Sequence, residues 1–308
     1  VCVEAGCGQR YPIVSGLPVL LPDPARFCAE NYAYLTARAD LSTDVEDVLA
    51  GFLGAGSFLD VTRQHLSTYG RDHFGCFDAE DRQAPPAGSV LTLLDAALAV
   101  AGTALSGLPD GPVLDLGCAV GATSLALAER FQRPVLGVDL HVPLLRCAYA
   151  AGRDGVARYP RRELGARYTW RHVALPWDRA VRAQVGFWLG DALAPPLADA
   201  SVALIAALNL LDCVARPAEL LARIGDLLQP GGIALLATPY DWSTGATTAA
   251  AWLDGGQALR AMIAADPRFA LLGEYPDHPW RLRLHDRSFM QYSVHIVALG
   301  RVDGAAHY

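Results

Sequence analysis

Apolar residues fall on nearly every side of a helical wheel over residues 90–105, a pattern that predicts a buried helix. From residue 111 the pattern changes to short apolar runs alternating with longer amphipathic ones. Residues 112–116 read as a strand, 122–131 as a helix, 134–138 as a strand and 142–151 as a helix. This alternation predicts a parallel sheet covered by helices. Residues 186–190 and 201–207 read as further strands, and 217–228 as a helix stopped by Gln-Pro-Gly-Gly at 229–232. A strand at 233–238, a helix at 257–265 and strands at 269–275 and 289–299 complete the reading.

Two other stretches break this rhythm. Residues 1–26 are dense in Gly and Pro and carry two cysteines, predicting a small β-rich module separate from the rest of the chain. Residues 27–106 read as a helical lid or linker region, which leaves 107–308 as the main domain. An insertion at 152–184 carries Arg153, Arg158, Arg161, Arg162, Arg167, Arg171, Arg179 and Arg182, with Tyr159, Tyr168 and Trp170 among them. Interleaved basic and aromatic residues suit single-stranded nucleic acid, while a solvated helical insert or a substrate lid needs no such partner.

Composition narrows the choice. At 308 residues and 52% hydrophobic, the chain can bury the core of one large α/β domain with a small appendage. A net charge of −7, from 25 basic and 32 acidic residues, opposes the phosphate attraction behind most nucleic-acid binding. A compact acceptor is favoured over RNA. The longest nearly apolar stretch, 202–215, is interrupted by Asn209 and Asp212 and is too short to cross a bilayer, so no membrane span is expected. No basic segment followed by an apolar one opens the chain, and a cytoplasmic location is expected; the start at Val1, without an initiator Met, leaves room for upstream sequence. Seven scattered cysteines, an odd number, fit reduced thiols better than a disulfide framework.

The sharpest chemistry lies in VLDLGCAVG at 113–121, which sets Asp115, Gly117 and Gly121 at a predicted strand-to-helix junction. Glycine lets the backbone turn tightly and approach a ligand where a Cβ would collide. A dinucleotide loop would read G-x-G-x-x-G, and Ala119 violates that spacing. Asp139 closes the second strand, 22 residues after Gly117, where a carboxylate can accept both hydroxyls of an adenosine ribose. Asp191 closes the third, in a position suited to an adenine amino group, and Asp115 can balance a positive amino group. Each acid alone could be a helix cap or a turn residue. Three acids at three successive strand ends predict one ligand crevice, because ligands of open α/β sheets bind beyond the carboxyl ends of the strands.

The segments DLGCAVG at 115–121, GVDL at 137–140, GDA at 190–192 and QPGG at 229–232 resemble, in order, the motifs of class I methyltransferases that use S-adenosylmethionine (SAM). The resemblance covers roughly residues 60–300. It implies a Rossmann-like α/β fold with a seven-stranded sheet of order 3-2-1-4-5-7-6 and an antiparallel last pair. It also implies a SAM site at Tyr69, Asp115, Gly117, Cys118, Ala119, Gly121, Asp139, Leu140, Asp191, Ala192 and Asn209, with S-adenosylhomocysteine (SAH) as product. Within that superfamily the chain is similar to the methyltransferase domain of ovothiol synthases, through DLGCAVG, ALNLLD at 207–212, ATPYDW at 237–242 and WLDG at 252–255, with STYG at 67–70 a weaker match. That family methylates an imidazole nitrogen of a thiol-bearing histidine. Its domain follows an iron-dependent region, and here the chain begins differently.

The resemblance also frames the acceptor side. Asn209 and Tyr240 are the catalytic candidates, and His65, Phe74, Asp212, Tyr240, Trp242 and Arg283 the substrate-binding ones. Asn209 could equally cap a strand end, and Asp212 could be a helix N-terminal acid. Tyr240 and Trp242 could hold a planar ring or a sulfonium, or simply pack. Tyr69, His65 and Phe74 form an expected lid, against a surface-helix reading of His65 and His73. Arg281, Arg283, His285 and Arg287 alternate as on an exposed strand face, or could clamp an acceptor carboxylate. Cys2 and Cys7, followed by YPIVSGLPVL at 11–20, resemble half of a zinc ribbon, with Cys28 a distant third ligand; four ligands are needed, so zinc stays open. Three functions remain: methylation of a small-molecule nitrogen, RNA methylation, and a non-catalytic interaction module. The sequence leaves the oligomeric state open.

Overall fold

The computed structural model describes residues 11–37, 41–81 and 84–302. The chain opens with a minimal hairpin, β1 (Ile13–Val14) and β2 (Leu17–Pro18), followed by helices α1 (Pro24–Glu30), α2 (Tyr32–Thr36), α3 (Thr43–Leu53), α4 (Phe58–Phe74) and α5 (Ser89–Ala101). Ser57 begins α4 by accepting the N–H of Asp60 through its hydroxyl, an N-cap that fixes where the helix starts. Next come β3 (Val113–Leu116), α6 (Ala122–Phe131), β4 (Val135–Asp139), α7 (Val142–Asp154), β5 (Val156–Arg162), β6 (Tyr168–Ala174), α8 (Arg179–Arg182) and β7 (Val185–Leu189). The chain then runs through β8 (Val202–Leu208), α9 (Pro217–Leu227), β9 (Leu228–Thr238), α10 (Gly255–Ala264), β10 (Phe269–His285) and β11 (Ser288–Arg301).

Seven strands form one sheet in the order β10-β11-β9-β8-β3-β4-β7. Counted within that sheet, this is 3-2-1-4-5-7-6 read from the far edge, as the motif series implies. The central strands pair in parallel, while β11 runs antiparallel to both β9 and β10. Every residue of β8 is buried, as a central parallel strand covered on both faces requires. One core lies between the sheet and α4, α5 and α6; a second lies on the opposite face, beneath α9 and α10.

Four features depart from the sequence reading. The insertion at 152–184 is an antiparallel hairpin, β5 and β6, followed by the single turn α8, where a helical insert was one expectation. In β5, Ala157 and Tyr159 point into the core while Arg158 between them is exposed, the two-residue period of a strand. The last two strands are longer than predicted, and their hairpin extends past the carboxyl edge of the sheet, where it packs on α4. Ser89–Gly107 is long and apolar enough, by length and composition, to cross a membrane. Here α5 buries Leu93, Leu94, Ala97 and Leu98 on the side facing β9, β10 and β11, and its other side is more open. The described part of residues 1–26 does not stand apart: Leu17, Val19 and Leu21 share a core with Leu145, Ala148, Phe187 and Leu189. Arg146 ties α2 to α7 by donating to the carbonyls of Tyr34, Leu35 and Ala37. Cys2 and Cys7 lie outside the described residues. Cys28 is a free, half-buried thiol, and among the described residues no cluster of three metal-ligating side chains occurs.

Candidate functional site

The order of the sheet fixes where a ligand can sit. The chain runs outward from β3 through β4 to β7 and then crosses back to β8 on the other side of β3, and the crevice beyond that switch point is the natural site of a doubly wound fold. A cavity of about 580 Å³ opens there, lined by Asp115, Gly117, Ala119, Asp139, Leu140, Asp191, Ala192 and Asn209, with His65, Tyr69 and His73 from α4 above them. Its volume lies within the range of small-molecule and cofactor sites. The three acids predicted to converge do so.

Their hydrogen bonds show how the loop is held. Asp139 accepts the N–H of Ala119 on Oδ2 at 2.9 Å and the N–H of His141 on Oδ1 at 2.8 Å. Each oxygen keeps a further lone pair for a ligand hydroxyl. Burial raises the Asp139 carboxyl above its ordinary value, with the His141, Ala119 and Leu140 amides pulling the other way. Gly117 and Gly121 both have positive φ, and so does Ala119 at φ 48°, a left-handed conformation costly for a residue with a Cβ. The Asp139–Ala119 bond helps hold that turn. Asp191 accepts the N–H of Leu193 at 2.9 Å.

Asp115 is only 2% exposed. Its Oδ2 accepts the hydroxyls of Thr123 and Ser124, both at 2.6 Å, so it braces the first turn of α6. Burial raises its pKa to about 6 against the lowering effect of those two hydroxyls. A carboxyl raised in the folded state binds its proton more tightly there than in the unfolded chain. Its stabilising contribution is therefore complete below about pH 4 and is lost as pH rises through about 6. Asp115→Asn should flatten part of this slope in a pH series of thermal melts. Asp72 and Asp212, likewise raised to about 6 by burial, contribute to the same slope.

A second cavity, about 320 Å³, adjoins the first and shares His65, Tyr69, Asn209, Cys213 and Trp280 with it. Asp212, Asp241 and Tyr292 line only the second. Asn209 sits at the junction with φ 53°, its N–H bonded to the carbonyl of Ala237 at 2.8 Å and its Oδ1 buried without a hydrogen-bond partner. Asp212 is 2% exposed; Oδ2 accepts the N–H of Asp241 at 2.9 Å, and Oδ1 is buried without a partner. Burial raises its pKa to about 6.

Other sequence candidates are placed elsewhere. Tyr240 lines neither cavity: its hydroxyl pairs with His295 Nδ1 at 2.7 Å, and His295 Nε2 in turn meets Glu274. Trp242 donates its indole N–H to the carbonyl of Leu253. Phe74 is fully buried in the core, and Cys118 packs beneath the N-terminal hairpin. Arg283 is buried and paired with Asp286, which rules out the exposed strand face, and it reaches neither cavity. Gly121 caps α6 just behind the first cavity. His65 and His73 are not surface residues. His73 is 3% exposed and accepts the N–H of Ala122, and His65 Nδ1 lies 3.2 Å from His141 Nε2. Sequence reasoning missed His141, Cys213, Trp280 and Tyr292. The alternation of Trp280, Leu282 and Leu284 with arginines marked a strand whose apolar face had to cover something.

Residues 114–236 match the model of a methyltransferase domain family, an interval that spans all three acids and both glycines. No curated protein matches the chain in sequence. Among solved structures, phosphoethanolamine N-methyltransferase 2 of Haemonchus contortus in complex with SAM is similar over 47% of this chain and 28% of its own, at 19% identity and a TM-score of 0.34. The chain thus spans less than a third of that enzyme's length. The [4+2]-cyclase SpnF is similar over 79% of this chain and 93% of its own (19% identity, TM-score 0.49). The YcgJ protein of a Bacillus species is similar over 70% and 100% (13% identity, TM-score 0.45). With the sheet order, the crevice at its switch point and the matched interval in one place, the chain carries a class I SAM-dependent methyltransferase domain.

Proposed function

We propose that this domain methylates a nitrogen of a small molecule, an amine or an imidazole, bound in the second cavity. The observation that carries this reading is the pair of buried acceptor oxygens, Asn209 Oδ1 and Asp212 Oδ1, left without donors among the described residues, beside the first cavity. A buried acceptor without a partner is costly, and a ligand bearing N–H groups would satisfy both. Asp139 would hold the ribose of SAM, Asp191 the adenine amino group and the Gly117–Gly121 turn the methionine portion. Bound SAM supplies an activated sulfonium methyl group, so the chain's own work is to align the acceptor, exclude water and receive a proton. Asp212 is suited to take that proton, with a pKa near the working pH.

Four of the eight arginines behind the RNA reading are engaged within the fold, which favours the small-molecule one. Arg171 is bonded to Asp78 and Glu80, Arg153 to Asp154, Arg162 to the carbonyl of Gly165, and Arg182 to the carbonyls of Gly152 and Arg153. Arg171 and Arg182 tie this insertion to neighbouring segments, and Arg153 and Arg162 are bonded locally. Incubating the protein with SAM and a panel of amines and imidazoles, beside structured and single-stranded RNA, and measuring SAH release tests the proposal; methylation of RNA alone would overturn it.

A base that must be ionised gives activity a signed pH dependence. With Asp212 at about 6, kcat/KM should drop roughly tenfold per unit below that pH. Asp212→Asn should remove this limb and lower kcat by about 10²–10⁴-fold. Retention of the acid limb in the variant would assign it to another group facing the cavity, such as His65.

A further inference from the structure

Granting that the second cavity holds the acceptor, its charge pattern narrows the substrate class. Two carboxylates line it, Asp212 and Asp241, and among the described residues no lysine or arginine does. The histidine on its wall, His65, is held towards its neutral form by burial. Asp212 Oδ1 is buried without a hydrogen-bond partner among the described residues. A buried carboxylate in that state is strongly unfavourable until a donor, best a cationic one, fills the space beside it.

The walls point the same way. Trp280 and Tyr292 stack with ring centroids 5.2 Å apart and planes inclined at 30°. The indole N–H of Trp280 is tied to Asp72 at 2.9 Å, which fixes the ring. Fixed aromatic faces beside carboxylates favour a cation, by charge and by ring quadrupole together. A carboxylate on the acceptor would meet like charge here. Arg281 and Arg283, which the sequence offered as a carboxylate clamp, are bonded to Gln291 and Asp286 and do not line the cavity.

We infer that the acceptor is a small cationic amine or imidazole without a carboxylate, held by Asp212 and Asp241 against the Trp280–Tyr292 wall, and not an α-amino acid. The reacting nitrogen gives its proton to Asp212 and thence to solvent. Its freed lone pair forms the new N–C bond as the C–S electron pair returns to sulfur, leaving the neutral thioether SAH.

Matched pairs that differ only by the carboxylate test this: histamine against histidine and tyramine against tyrosine, titrated by calorimetry into the full chain saturated with SAH, with SAM turnover measured alongside. At least one amine should bind about tenfold or more tighter than its amino acid. Asp212→Asn and Asp241→Asn should each weaken that amine about tenfold or more while SAH affinity and melting temperature hold. Tighter binding of the amino acids, or loss of SAH affinity in the two variants with amine binding intact, would overturn the inference and leave the methylation reading standing. Binding of SAH without binding or turnover of any of the four compounds would overturn both.

Discussion

Asp139→Ala should abolish measurable SAM binding, raising Kd by about 100-fold or more. In the proposed reading the carboxylate accepts two ribose hydroxyls, and hydrogen bonds to a charged group contribute about 1.5–3 kcal/mol each. It also fastens the N–H of Ala119, a residue in the left-handed region that needs the restraint. The substitution thus removes ligand contacts and loosens the turn against which the cofactor lies. Isothermal titration with SAM and SAH, paired with a melting curve, reads both effects. An unchanged Kd in a folded variant would place the cofactor elsewhere.

Gly121→Ala is expected to destabilise the fold strongly. At φ 89° the backbone is unfavourable for any L side chain, and the new Cβ would lie 2.7 Å from the Phe187 ring and 2.9 Å from the Ala148 Cβ. Backbone strain costs about 1–2 kcal/mol and overpacking of a tight core about 1–3 kcal/mol. A total near 3 kcal/mol corresponds to a fall in Tm of roughly 5 °C for a chain of this size. Scanning calorimetry measures it directly, and a shift below about 2 °C would mean that α6 and β7 yield more easily than this packing indicates. Because Gly121 begins α6 directly after the cofactor turn, SAM affinity should fall in parallel.

The sheet was legible because its strands are short apolar runs bounded by turn residues, and because each of the first three ends in an acid facing the same crevice. Periodicity finds strand cores well, yet it finds poorly those strands whose outer face is basic. Arg158, Arg161 and Arg162 hid the β5 alternation, and the polar run Asp277-His278-Pro279 made β10 seem to stop at residue 275 when it continues to His285. The second error concealed the second cavity, since Trp280 reaches it only through that extension. Tyr240, Trp242 and Phe74 were placed in the site by their position after a strand or on the lid helix. Position along the chain does not say towards which face a side chain turns, and these three turn into packing or hydrogen bonds away from both cavities.

The N-terminal strap has a bearing on solubility as well as on packing. Strand β7 is the last of the sheet on its side, and such an edge offers unpaired amides to any passing strand, including that of another molecule. Val19 lies alongside Leu189 as a parallel bridge, and Leu20 donates to the carbonyl of Leu189 at 2.9 Å. Residues 19 and 20 thereby blunt the carboxyl end of one of the sheet's two borders, where an added strand from another molecule would otherwise pair.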